Sequence, residues 1–123
     1  MSSIESRRTK RKNLALKGNF NIKDDLKYKL HIYKEPIDLT LIDISALGCG
    51  FATEYYLPKG LAIHMRLKNF PVAGTKRETK DIEFDGKVMF SRTSDFKNNR
   101  IGLEFSNLGK EISDLVKNYI ESE

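Results

Sequence analysis

Short apolar alternations recur along most of the chain, and nothing else in it restricts the fold so tightly. Tyr28, Leu30 and Ile32; Leu39 and Leu41; Ile63, Met65 and Leu67; Ile82 and Phe84; Val88 and Phe90; and Ile101, Leu103 and Phe105 each place apolar side chains two apart. Successive strand residues point to opposite faces, so such runs bury one face of a sheet and leave the other to solvent. Turn-forming residues stand between them: Lys34-Glu35-Pro36, Pro58-Lys59-Gly60, the stretch from Pro71 to Lys80, Asp85-Gly86 and Lys97-Asn98-Asn99. Many short strands joined in this way predict an all-β domain, a closed barrel or a sandwich. After Phe105 the period changes: Leu108, Ile112, Leu115, Val116, Tyr119 and Ile120 fall at helical spacing. One amphipathic helix is expected over about 107–121, with Asn107 as its N-cap and its apolar stripe covering the open end of the sheet.

With 123 residues and 39% hydrophobic content, the chain suits one domain around one core. Residues 1–13 hold a single aliphatic side chain, Ile4, and are expected to form a flexible basic arm, leaving 14–123 as the folded unit. The arm also dominates the electrostatics. Arg7, Arg8, Lys10, Arg11, Lys12 and Lys17 face only Glu5 within residues 1–17, which carries the whole net charge of +5, and the rest is balanced. Attraction for an anionic partner is thus concentrated in one short segment, favouring a phosphate-bearing ligand over an acidic protein surface. One cysteine, Cys49, permits no internal disulfide and suits a reducing compartment, so a cytoplasmic setting is expected. No more than three hydrophobic residues run consecutively, so neither a secretory leader nor membrane insertion is expected.

Two short pieces carry the chemistry. Arg7-x-x-x-Arg11 puts two guanidiniums on one side of a helix or strand, where both can reach one anion or base edge. A guanidinium donates two parallel bonds to phosphate oxygens, or to guanine O6 and N7, in a geometry that a lysine ammonium cannot copy. The second piece, Asp43-Ile44-Ser45-Ala46-Leu47-Gly48, follows an apolar run. Asp43 can accept from a purine N–H, Ser45 can bond a polar edge, and Gly48 lets ligand and backbone meet without a Cβ. Each piece has an ordinary reading too, as a loosely binding basic tail and as a plain turn after a strand.

In this order and separation the two pieces resemble the signature of the PilZ domain, a bacterial receptor for cyclic di-GMP. The likeness continues in Leu57-Pro58-Lys59-Gly60, Gly86-Lys87-Val88 and Ile101-Gly102-Leu103-Glu104-Phe105, and spans about Arg7 to Ile120. It implies a small antiparallel barrel of six to seven strands with one C-terminal helix. It further implies that Arg7 and Arg11 contact phosphates and guanine edges, while Asp43, Ser45 and Gly48 line the base, with Arg8, Lys12 and Gly102 as secondary contacts. The expected partners are cyclic di-GMP and an effector protein, with the arm changing conformation on binding and the chain acting as monomer or dimer.

Other residues suggest less. His31 and His64 with the lone Cys49 show no metal-ligand spacing, and no cofactor is expected. Ser45 lacks a nucleophile elbow or a matched base, so no enzyme is predicted. Arg77 and Arg100 read as solvated turn residues, and most Phe and Tyr as core. Two rival functions are a small-barrel nucleic-acid binder, supported by the arm and the aromatics, and a PilZ-fold interaction adaptor that binds no nucleotide. The charge balance of residues 18–123 counts against the first, and the retained motif residues against the second.

Overall fold

The computed structural model describes residues 10–23, 35–95 and 98–122. Among them, strands β1 (Arg11–Ile22), β2 (Ile37–Ser45), β3 (Gly48–Thr53), β4 (Ala62–Pro71), β5 (Thr79–Asp95) and β6 (Asn98–Asn107) precede one helix, α1 (Lys110–Glu121). The strands close into a barrel in the order β1-β2-β3-β6-β5-β4, and every neighbouring pair is antiparallel. Closure removes the unpaired edges that an open sheet would present.

The alternation does what the sequence predicts for Leu39, Leu41, Ile63, Met65, Leu67, Ile82, Phe84, Ile101 and Leu103, all buried in one core. Phe20 and Phe51 meet there with ring centroids 5.6 Å apart. Each large apolar side chain so buried contributes about 1.5–3 kcal/mol. The run Tyr28, Leu30 and Ile32 lies outside the described residues. The helix adds Val116 and Ile120 to the core, and Tyr119 meets the Phe70 ring edge-on at 5.4 Å.

The last turn of α1 contains no basic residue, and a lysine from β1 serves it instead. Lys12 Nζ donates to the carbonyls of Tyr119 and Ser122 at 3.1 and 3.0 Å and to Ser122 Oγ at 2.9 Å. It also stands 4.2 Å from the centroid of the Tyr119 ring. A cation at this end complements the helix dipole and satisfies carbonyls that the helix itself leaves over.

Four expectations change. The barrel begins at Arg11 rather than residue 14, because Arg11, Lys12 and Asn13 pair with Ser45, Ile44 and Asp43. Ladder bonds come from the backbone, so polar side chains at these positions hide a strand. Asp85-Gly86 is not a turn: β5 runs through it, with a register shift against β6 between the two residues. A Cβ on Gly86 would lie 2.7 Å from the Leu103 side chain, so glycine there permits a bulge and close packing. Asn107 ends β6 and is not the N-cap, a position held by Gly109 at φ 73° with no side-chain cap. Finally, Val88 and Phe90 do not share a face, since a register shift between them leaves Val88 in the core and turns Phe90 outward.

Candidate functional site

That outward turn completes a row of register partners across five strands. Asn13 on β1 pairs with Asp43 on β2, Asp43 with Gly50 on β3, Gly50 with Gly102 on β6, and Gly102 with Phe90 on β5. Two of these positions lack a side chain, and their neighbours crowd over them. A Cβ on Gly50 would lie 2.9 Å from Asp43 Oδ1, and one on Gly102 would lie 2.2 Å from the Phe90 ring. The glycines therefore form a floor with Asp43 rising on one side and Phe90 on the other. A recess of about 510 Å³ opens above it, lined also by Arg11, Leu47, Met89, Arg92 and Arg100.

Asp43 is 5% exposed, and two guanidiniums from different strands hold its carboxylate. Arg11 Nη1 donates to Oδ1 at 2.6 Å, and Arg100 Nη2 donates to Oδ2 at 2.8 Å. One bond to Asp43 uses one nitrogen of each guanidinium, a group with five N–H donors. Both arginine side chains remain about half exposed, at 53% and 44%, and both line the recess. Arg92 brings a third guanidinium, 5.4 Å from the centroid of the Phe90 ring. Phe90 and Met89 are 45% and 42% exposed on the same recess. Chemically, the arrangement can take an anion on its arginines and a planar ring on its apolar wall.

The structure brings Arg11, Asp43, Ser45, Gly48 and Gly102 of the predicted residues to this one recess. Arg7 and Arg8 lie outside the described residues. Ser45 works inside the β2–β3 turn: its hydroxyl accepts from the N–H of Leu47 at 3.3 Å and of Gly48 at 3.2 Å, and donates to the Gly48 carbonyl. Gly48 is required by packing, because a Cβ there would stand 2.0 Å from the Leu103 carbonyl oxygen. Lys12 alternates away from Arg11 along β1 and reaches α1 rather than the recess. Arg100, read as a solvated turn residue, stands on β6 and bridges to Asp43; Phe90, expected beside Val88 on a buried face, lines the recess instead, and Arg92 was not singled out by the sequence. The signal for Arg100 is its place two residues before Gly102, on the same face of a strand.

Cys49 is buried beside the recess, and burial, reinforced by the Asp43 charge, pushes its thiol far up, leaving a neutral, unreactive group. His64, on β4, lies elsewhere: Nδ1 is 2.7 Å from Asp85 Oδ1 and Nε2 is 2.6 Å from Glu83 Oε1. Hydrogen bonds to Asp85 and then Glu83 raise the His64 pKa above its ordinary value. Lys23 Nζ donates to Asp85 Oδ2 at 2.8 Å, and this bond, followed by that of His64, lowers the pKa of Asp85. Among the described residues no set of His, Cys, Asp and Glu is arranged to hold a metal ion, and no helix is long and apolar enough to cross a membrane.

A family model for the PilZ domain matches residues 5–122. The chain belongs to the PilZ domain family. Solved PilZ-like structures share its fold at low identity. The inhibitor of motility MotI/DgrA of Bacillus subtilis superposes with a TM-score of 0.70 at 15% identity, over 93% of this chain and 49% of that one. The chain thus spans about half the length of the Bacillus protein. The PilZ domain of YcgR from Escherichia coli, solved with c-di-GMP, gives 0.61 at 17% identity over 93% and 88% of the two chains. A tetrameric PilZ protein from Xanthomonas campestris gives 0.61 at 14% identity over 91% and 83%. Among curated protein sequences none matches the chain.

Proposed function

We propose that this PilZ chain is a cyclic di-GMP receptor that passes the signal to a partner protein. The observation that carries the reading is the Arg11–Asp43–Arg100 bridge beside the exposed Phe90 ring, which offers charge-assisted donors and an apolar wall in one recess. Arg11 presents its fork to a phosphate or to guanine O6 and N7, with Arg7 closing from the same motif. Asp43 orients both bridging guanidiniums and accepts from a guanine N–H once they turn to the ligand. Gly50 and Gly102 let the base approach the backbone. The YcgR domain with its bound nucleotide supports this reading by analogy of fold.

Binding changes the conformation of the N-terminal arm that carries Arg7 and so changes the surface offered to an effector. Lys12, adjacent to Arg11 and bonded to the end of α1, gives β1 a mechanical link to the C-terminal helix. A calorimetric titration with cyclic di-GMP, with GMP and cyclic di-AMP as controls, tests the reading. Saturable, selective binding is expected. Arg7→Ala and Arg11→Ala should each weaken it roughly ten- to a hundredfold while the circular dichroism spectrum stays unchanged. Wild-type-like titrations of both variants would reject the site. Absence of heat from the wild type would leave an interaction adaptor that uses the PilZ fold without nucleotide.

A further inference from the structure

Arg92 on β5 and Arg100 on β6 are direct register partners. Their side chains leave the outer face of the barrel side by side, next to Phe90 and Gly102, the preceding pair on that face. Like charges directly opposite on neighbouring strands destabilise a sheet. Arg100 has one oxygen of Asp43, whose other oxygen belongs to Arg11. Arg92 lies over the Phe90 ring, and the remaining acid on the recess is Glu104, the register partner of Lys87. Among the described residues the recess thus holds three guanidiniums against two carboxylates, the excess being Arg11 of the basic N-terminal segment. Folding brings Arg11, Arg92 and Arg100, far apart in the sequence, to one recess.

We propose that Arg92 and Arg100 form a second anion subsite, specific for a phosphate group, on the β5–β6 side of the recess. An anion between them draws two forks from neighbouring strands onto one ligand, a geometry that suits the planar arginine fork. A cyclic dinucleotide carries two phosphates on one ring; the Arg11 fork takes one and the Arg92/Arg100 pair the other, across the glycine floor. The assignment of that natural ligand rests on the receptor reading above, whereas phosphate binding by the pair does not.

The test uses the full chain as wild type, Arg11→Ala, Arg92→Ala and the Arg92→Ala/Arg100→Ala double variant. Thermal shifts are recorded with inorganic pyrophosphate, and calorimetry with cyclic di-GMP. Pyrophosphate is expected to raise the Tm of wild type and Arg11→Ala but not of the double variant. Arg92→Ala should weaken cyclic di-GMP binding roughly tenfold, yet melt no lower than wild type when free, because one of two like charges at opposite register positions is gone. Opposite effects on affinity and stability are what a merely structural arginine would not produce. A pyrophosphate shift retained by the double variant, or absent from the wild type, overturns the subsite. If the wild type ignores cyclic di-GMP while the pyrophosphate pattern holds, the receptor reading fails and the subsite stands.

Discussion

Among the described residues the barrel carries two ionic networks, one around His64 and one around Asp43, and they are built to different plans. At His64, two bases meet two acids: His64 between Asp85 and Glu83, and Lys23 on Asp85. At Asp43, one buried carboxylate is shared by Arg11 and Arg100, a third arginine stands nearby, and glycines open the space above. The first network sets two basic side chains directly against two acids, on β4, β5 and the residue after β1. The second leaves cationic donors and an aromatic wall facing a cavity. Charge that is matched stabilises modestly at a surface, whereas charge gathered without full compensation marks a place for a ligand.

The largest effect should come from a glycine that shapes the second network. Gly48→Ala forces a Cβ into the Leu103 carbonyl, and overpacking of this kind costs about 1–3 kcal/mol. A thermal melt should fall by several degrees, and an unchanged Tm would show that β3 and β6 can separate without loss. Next, His64→Gln is expected to leave cyclic di-GMP affinity as it is, in contrast to the loss in Arg11→Ala. A matching loss in both variants would break the distinction between the networks.

Gly102→Ala sharpens it from the other side. The added Cβ meets the half-exposed Phe90 ring, which can swing away, so the melt should hardly move while affinity drops several-fold. Lys12→Ala should lower stability by about 1 kcal/mol or less through the C-terminus of α1 and spare the titration.

The smallest effect is a pH dependence. His64 has a raised pKa in the fold, so its contribution is complete below its unfolded value near 6.5 and disappears as pH rises through the folded value. Asp85, with its pKa lowered, acts in the opposite sense: its contribution is present above its ordinary value and lost as pH falls through the folded one. Melts of wild type and His64→Gln between pH 5.5 and 8.5 should converge at the alkaline end, and parallel curves would remove His64 from the account.

Much of the barrel was legible because alternation is a local signal, and Leu39, Ile63, Phe84 and Ile101 needed no knowledge of their partners. Phe90 escaped because a bulge shifts the period by one residue and leaves no mark in composition. Asp43 could be read as an acceptor, yet its partner Arg100 is 57 residues away and only barrel closure joins them. The turn chemistry of Ser45 was also visible, and the structure uses its hydroxyl there. Gly50 stayed hidden because its role depends on what stands opposite it.

The most direct measurement is a backbone-amide NMR titration of the full chain with cyclic di-GMP. Shifts are expected along the row Asn13, Asp43, Gly50, Gly102 and Phe90 and at Arg92 and Arg100, with the amides of His64, Glu83 and Asp85 unmoved. Shifts centred on the His64 network, or none at saturating nucleotide, would contradict the proposed site.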